Sequence, residues 1–119
     1  LPCLTIDNGL DPNCISSDVA EVAAYRADPL IHNQISLATA SWLVEGLGTR
    51  IAEIPQPCLV VHGDADEITS HGASQEFAKS VGAQFKSFSG AYHELLHEPA
   101  HVDALLAKYA QLILKNLRK

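Results

Sequence analysis

A short apolar run between a proline and a glycine constrains the fold of this chain more than any other feature. The stretch PCLVVHG places residues 58–62 between Pro57 and Gly63. A continuous apolar run of this length, bounded by turn-forming residues, is typical of a strand that is buried on both faces. Such a strand needs a parallel sheet with helices on either side, so the segment predicts an α/β fold.

The residues after this strand continue the α/β pattern. Residues 71–82, HGASQEFAKSVG, predict a helix that Gly82 ends and that has one apolar face: Ala73, Phe77, Ala78 and Val81. Residues 84–88, QFKSF, predict a second short strand. Pro99 stands where a first-turn proline is tolerated and opens a last helix, whose core stripe is Val102, Leu105, Leu106, Tyr109, Leu112 and Ile113. The order strand, helix, strand, helix predicts a parallel βαβ unit with a final packing helix.

The N-terminal part of the chain predicts a separate helical segment. Residues 1–13 are expected to form a loop, and Asp18 with Glu21 suits a capping box that starts a helix from Val19 to about Tyr25. Residues 34–47 predict a second helix with one apolar stripe: Ile35, Ala38, Trp42, Leu43 and Leu47. We therefore divide the chain into a helical segment, residues 1–50, and a βαβα segment, residues 51–119. Two parallel strands make a small sheet, so the second segment is expected to be the end of a larger one.

Composition narrows the classes of function. The net charge of −6 argues against a nucleic-acid partner, because phosphates are bound by clusters of Lys and Arg. No apolar run approaches the ~20 residues that a membrane-spanning helix needs. The three cysteines, Cys3, Cys14 and Cys58, are odd in number and lack CxxC spacing. This usage favours a reducing compartment, so we expect a cytoplasmic protein.

Acidic residues and a histidine follow the two predicted strands. Asp64, Asp66 and Glu67 come directly after the first strand, and His93 follows the second. Because the carboxyl ends of parallel strands lie at one edge of a sheet, these side chains can meet there. A carboxylate bonded to one imidazole nitrogen leaves the other nitrogen to deprotonate a nucleophile. Acids are also favoured in turns and at helix starts for structural reasons alone, so the residues by themselves leave both interpretations open.

The same region permits a metal interpretation. HELLH, residues 93–97, spells the H-E-x-x-H signature of zinc hydrolases. His93 and His97 reach one metal only when they lie on one helix face. Gly90 and Pro99 bracket the motif and leave room for roughly two helical turns. We therefore favour a loop histidine, and the zinc hydrolase stays as an alternative.

Two stretches resemble a known family. Residues 54–114, with IPQPCLVVHGDADEIT and SGAYHELLHEP, resemble the C-terminal end of α/β-hydrolases of the monoacylglycerol lipase type, a group with related lysophospholipases and serine aminopeptidases. Residues 25–32, YRADPLIH, and the helix through Trp42 resemble the end of that family's cap. The resemblance implies the C-terminal part of an α/β-hydrolase sheet, with two parallel strands and flanking helices, plus the end of a helical cap.

The resemblance also implies roles for individual residues. Asp66, at the end of H-G-x-x-D, matches the triad acid, and His93, at the end of G-x-x-H, matches the triad base. Asp64 is then a turn residue and Glu98 a support at the start of the last helix. The residues implied for the substrate pocket are Ile68, Tyr92 and Leu43. Leu43 belongs to an apolar segment that fits the remainder of a lid and a core helix equally well.

The family's nucleophile is not among the nine serines of this chain. That nucleophile lies in a G-x-S-x-G elbow. Ser74 in GASQE comes nearest, but Glu76 stands in place of the second glycine. The family's order of serine, aspartate and histidine puts the missing serine before Leu1, in agreement with a sequence that does not begin with Met.

We therefore expect the C-terminal portion of a serine hydrolase that cleaves carboxylic esters such as monoacylglycerols. Its partners would be a lipid or ester substrate and the upstream half of the same protein, which carries the nucleophile. No metal or organic cofactor is implied, and transient contact with lipid surfaces stays open. A hydrolase-like binding module without catalysis is a further alternative, because a fold does not fix a function.

Overall fold

A computed structural model describes residues 4–45 and 54–117 of the chain. The first range contains the elements β1 (Thr5–Asp7), α1 (Val19–Ala27), β2 (Gln34–Ser36) and α2 (Leu37–Val44). β1 and β2 pair antiparallel, with Ile6 opposite Ile35. A 3₁₀ turn, Pro12–Cys14, leads towards α1. Asp18 begins α1 as its N-cap, because its carboxylate accepts the N–H of Ala20 at 2.8 Å.

Two predictions for this range are wrong. β1 lies within residues that were expected to form a loop, and residues 34–36 form a strand instead of the first turn of a helix. Each of these short strands pairs with a segment far away in the sequence, which no local pattern contains. Ser36 then begins α2, because its hydroxyl accepts the N–H of Thr39 at 3.0 Å. α2 ends at Val44 with Glu45 as its C-cap, and residues 46–47 of the predicted helix lie outside the described residues.

The second range has the α/β order that the sequence predicts. Its elements are β3 (Leu59–Gly63), α3 (His71–Ser80), β4 (Gln84–Phe88) and α4 (Val102–Leu117). β3 and β4 are parallel neighbours, with Leu59 opposite Gln84 and Gly63 opposite Phe88, so the predicted parallel pair is confirmed. Gly82 follows α3 with a φ of 68°, a conformation that glycine adopts without strain, and it lets the chain turn into β4.

Helices cover the two faces of this sheet. On one face, α3 contributes His71, whose ring meets Phe85 of β4 edge to face at 5.3 Å. On the other face, a core cluster combines residues of β4, the loop after it and α4: Phe88, Ala91, Leu95 and Leu105, with Val61 packed against them. Of the predicted core stripe of α4, Leu105 is 1% exposed, whereas Ile113 is 58% exposed. The arrangement leaves the carboxyl ends of both strands at one edge.

The start of α4 differs slightly from its prediction. The helix begins at Val102, three residues after Pro99. The carbonyl of Glu98 accepts the N–H groups of His101 and Val102, both at 2.9 Å. Pro99 therefore stands in the turn that leads into the helix, where a missing N–H costs nothing. No helix among residues 4–45 and 54–117 is long and apolar enough to cross a membrane.

Candidate active site

The loops that follow β3 and β4 lie against each other at the carboxyl edge of the sheet. The N–H of Asp64 donates to the carbonyl of Phe88 at 3.0 Å, and the N–H of Ala65 donates to the carbonyl of Ala91 at 3.1 Å. Gly63 is the last residue of β3 and lies next to this contact. A Cβ atom on Gly63 would overlap the carbonyl oxygens of Ala91 and Tyr92. The absence of a side chain at this position therefore permits the close approach of the two loops.

Asp64 joins the same two loops through its side chain. Its Oδ1 accepts the N–H of Gly90 at 2.5 Å, and this hydrogen bond lowers the pKa of Asp64. Gly90 has a φ of 74°, which a residue with a side chain rarely adopts. Asp64 therefore holds the turn before His93 and lies in a structural position.

Asp66 and His93 face each other across this edge. The Nδ1 atom of His93 lies 2.9 Å from the Oδ2 atom of Asp66, within hydrogen-bond distance. The Asp66 side chain is 3% exposed and the His93 side chain 36% exposed. The carboxylate is thus buried behind the imidazole, while the imidazole is accessible from outside. Because Nδ1 contacts the carboxylate, Nε2 is the nitrogen that can serve a reacting group.

The Asp66 carboxylate receives several further hydrogen bonds. Its Oδ1 accepts the N–H groups of Ile68 and Thr69 at 2.7 and 3.0 Å, and its Oδ2 accepts the Thr69 hydroxyl at 2.7 Å. Burial raises the pKa of Asp66, but the hydrogen bonds from His93, Thr69 and Ile68 together lower this pKa to about 2. Asp66 is therefore a fixed anion at neutral pH, which stabilises a protonated imidazole beside it.

The three residues expected to line a substrate pocket lie in different places. Ile68 contributes to a cavity of about 390 Å³ between the loop after β3 and the N-terminal segment, lined by Asn8, Gly9, Leu10, Asp11, Cys14, Glu67 and Ile68. Tyr92 is half-buried directly before His93. Leu43 is 53% exposed on α2, in a different element from the strand ends. The pocket roles of these residues stay predictions.

The H-E-x-x-H residues do not share an α-helix. His93 lies in the loop before a 3₁₀ turn, Leu95–His97. The two imidazoles contact different carboxylates: Nδ1 of His93 faces Asp66, and Nδ1 of His97 lies 2.7 Å from Oε2 of Glu94. Within the described ranges, no group of three or more His, Cys, Asp or Glu side chains comes together in a way that could hold a metal ion.

Glu98 links the histidine loop to the segment before α1. Its side chain is buried at 1% exposure, and its two oxygens accept the N–H and the hydroxyl of Ser17, each at 2.7 Å. The hydroxyl of Ser16 donates to the carbonyl of His97 at 2.6 Å, and the N–H of Glu94 donates to the carbonyl of Ile15 at 2.8 Å. The N-terminal segment therefore supports the loop that carries His93.

Two residues that contact Asp66 were not identified from the sequence. Thr69 donates both its N–H and its hydroxyl to the carboxylate. Asp side chains commonly accept N–H groups from residues that follow closely in the chain, so the N–H contact could have been predicted from the sequence, whereas the hydroxyl contact could not. His62 lies with Nε2 3.1 Å from Oδ2 of Asp66. No sequence pattern assigned a partner to His62, because the contact depends on how the loop after β3 folds back over its strand.

Comparisons with known proteins agree with this architecture. A family model described as serine aminopeptidase, S33, matches residues 1–100. An uncharacterized abhydrolase domain-containing protein of Dictyostelium discoideum is 39% identical over 105 residues, which are 82% of this chain and 11% of that protein. A monoacylglycerol lipase of Mycolicibacterium smegmatis is 35% identical over 105 residues, which are 82% of this chain and 37% of the lipase. The chain thus spans well under two thirds of both relatives.

Solved structures give the same result for the fold. The crystal structure of a monoacylglycerol lipase from Paleococcus ferrophilus matches with a TM-score of 0.80 and 29% identity, over 92% of this chain and 45% of the lipase. A soluble variant of the monoglyceride lipase of Saccharomyces cerevisiae, in complex with a substrate analog, matches with a TM-score of 0.75 and 22% identity. That match covers 96% of this chain and 44% of the yeast chain, and it bears on the fold alone.

Proposed function

Because the chain belongs to the serine aminopeptidase S33 family of α/β-hydrolases, we propose that it supplies the acid and the base of a Ser-Asp-His triad in an ester hydrolase. One observation carries this proposal: Nδ1 of His93 lies 2.9 Å from the buried carboxylate of Asp66 at the carboxyl edge of two parallel strands. Such an edge is where open α/β sheets hold their reactive groups.

In the proposed reaction, a serine hydroxyl attacks the ester carbonyl and gives its proton to Nε2 of His93. The imidazolium then protonates the departing alcohol, which leaves an acyl-enzyme. In the second half, Nε2 takes a proton from water, the hydroxide attacks the acyl-enzyme, and the proton returns to the serine. Asp66 keeps Nδ1 protonated throughout and stabilises the imidazolium, because its carboxylate stays ionised.

The nucleophile belongs, in this proposal, to residues that precede Leu1. The order serine, acid, base along the chain of α/β-hydrolases supports that place, and none of the serines in this sequence has a G-x-S-x-G context. We call the protein that contains both the serine elbow and this chain the complete hydrolase. The upstream half is then the partner of the described site, and the 119-residue chain alone is expected to hydrolyse no ester.

The proposed substrates are carboxylic esters of the monoacylglycerol type. The names of the Mycolicibacterium smegmatis and Paleococcus ferrophilus proteins support this class. The exposed apolar side chains of α2, Trp42, Leu43 and Val44, support transient contact with lipid surfaces. The proposal of a cytoplasmic location rests on the cysteine usage alone.

Substitution of the two residues in the complete hydrolase tests the triad. Asp66→Asn and His93→Ala should each lower kcat on a monoacylglycerol by a factor on the order of 10⁴, because the serine then lacks an oriented base. The matched control is His97→Ala, which removes the neighbouring histidine of the same loop. His97 is bonded to Glu94 and takes no part in the proton transfer, so most of the activity should remain.

Thermal melting of all three variants separates loss of chemistry from loss of folding. The proposal would have to be abandoned if His97→Ala were as damaging as His93→Ala and added zinc restored the activity. Nearly full activity of a folded His93→Ala variant would contradict it as directly.

A further inference from the structure

His62 is a buried histidine that the proposed triad does not use. It lies in β3, one residue before Gly63, and is 8% exposed. Three oxygens surround its Nε2 atom: Oδ2 of Asp66 at 3.1 Å, the carbonyl of Thr69 at 3.3 Å and the hydroxyl of Thr69 at 3.5 Å. A nitrogen of a buried imidazole thus lies beside the same carboxylate oxygen that His93 contacts.

These neighbours determine which nitrogen of His62 carries the proton. A carbonyl oxygen and an ionised carboxylate only accept hydrogen bonds. The Thr69 hydroxyl gives its own hydrogen to Oδ2 of Asp66 at 2.7 Å, so it also presents an acceptor to His62. Nε2 of His62 must therefore be protonated and act as the donor. The hydrogen bond of Nε2 goes to the carbonyl of Thr69, whereas Oδ2 of Asp66, which accepts from Thr69 and faces His93, lies 3.1 Å from the same protonated nitrogen.

We propose that His62 is a positioning residue that shares the Asp66 carboxylate with His93 and limits the strength with which Asp66 stabilises protonated His93. This inference rests on the proposed function. The protonated Nε2 of His62 lies 3.1 Å from Oδ2, and the partial positive charge of its N–H group offsets part of the negative charge that acts on Nδ1 of His93. Removing the donor makes the oxygen a better acceptor and makes His93 easier to protonate. The orientation of Asp66 survives, because Oδ1 stays fixed by the N–H groups of Ile68 and Thr69.

The groups around His62 allow this effect to be isolated. Two titratable side chains in the described ranges contact it, Asp66 from the loop after β3 and His71 from α3, and His93 contacts the same carboxylate from the other loop. The His71 ring meets His62 edge to face at 5.5 Å, while its Nε2 atom lies 2.8 Å from the hydroxyl of Ser87 on β4. His71 therefore has its own partner, and a change at His62 acts first on Asp66.

The pH–rate profile of kcat/KM in the complete hydrolase tests the inference. His62→Leu removes the donor at similar volume, and the midpoint of the acidic limb should move up by about 0.5–1 pH unit. His62→Gln keeps a side-chain N–H donor, so its midpoint should stay within about 0.2 units of the unchanged enzyme. KM should change little in either variant, because His62 is not proposed to touch the substrate.

NMR supplies readouts that need no activity. In isotope-labelled complete hydrolase, the nitrogen chemical shifts of His62 should identify the Nε2–H form. In His62→Leu, the midpoint of the His93 titration should move to higher pH. An unshifted acidic limb in His62→Leu, or equal shifts in His62→Leu and His62→Gln, would overturn the inference. If His62→Leu does not fold, the unchanged protein still tests the inference. Neutral His62 with its proton on Nδ1 would overturn the inference equally well. An active His93→Ala enzyme would instead overturn the proposed function, and the state of His62 would still be measurable.

Discussion

Replacement of Gly63 by alanine probes the contact that brings together the loops that follow β3 and β4. A Cβ atom at this position would lie 2.5 Å from the carbonyl oxygen of Tyr92 and closer still to that of Ala91. Both neighbours are backbone atoms, which cannot rotate away. Ordinary contact begins near 3.4 Å, so the loop after β4 would have to move by about 1 Å.

The structure gives the size of the expected effect. Overpacking of a rigid site costs about 1–3 kcal/mol, and a backbone obstacle puts Gly63→Ala in the upper half of this range. A displacement of about 1 Å also separates Nδ1 of His93 from Asp66, now 2.9 Å apart, so kcat of the complete hydrolase should fall by about 10²-fold.

Gly72→Ala is the matched control. Gly72 is the second residue of α3, and an added Cβ would meet no atom closer than the Ser70 hydroxyl at 3.9 Å. The same methyl group should therefore stabilise the protein by at most about 0.5–1 kcal/mol, because alanine favours a helix over glycine and the full difference applies to helix interiors. Urea denaturation of both variants of the complete hydrolase measures the two changes. A Gly63→Ala variant with an unchanged free energy of unfolding and full activity would refute the argument.

Two further predictions concern stability. Glu98→Ala leaves the N–H and the hydroxyl of Ser17 without their partner and should lower the free energy of unfolding by about 1–3 kcal/mol. The control is Glu76→Ala, on the exposed side of α3, which should change the free energy of unfolding by less than about 0.5 kcal/mol in the same urea titration. Equal losses in the two variants would contradict the supporting role of Glu98. The pKa of Asp66, about 2 in the folded protein, lies below the ~3.9 of an unfolded aspartate, so its stabilisation is complete above about pH 4 and is lost as the pH falls towards 2. As the pH falls over this range, the urea concentration at the unfolding midpoint should decrease less steeply in Asp66→Asn than in the unchanged protein. Identical slopes in the two proteins would refute the lowered pKa of Asp66.

The sequence by itself determined the elements whose information is local. The apolar run before Gly63 and the apolar face of residues 71–82 predicted a strand and a helix, because a buried strand and an amphipathic helix have distinct periodicities. The connection between β3 and β4 is long enough for a helix, so the sequence predicted that the two strands pair in parallel. Parallel pairing places Asp66 and His93 at one edge of the sheet.

Only the tertiary structure decided the contacts between segments that are distant in the sequence. β1 and β2 are three residues each, and their pairing depends on a partner that neither strand encodes. The burial of Glu98 against Ser17 and the backbone approach at Gly63 require the packed loops. The same holds for His62, whose Nε2 atom lies 3.1 Å from Oδ2 of Asp66 because the loop after β3 folds back over its own strand. Local sequence patterns contain only periodicity. A hydrogen bond depends on the positions of two atoms to within tenths of an ångström, and packing sets those positions.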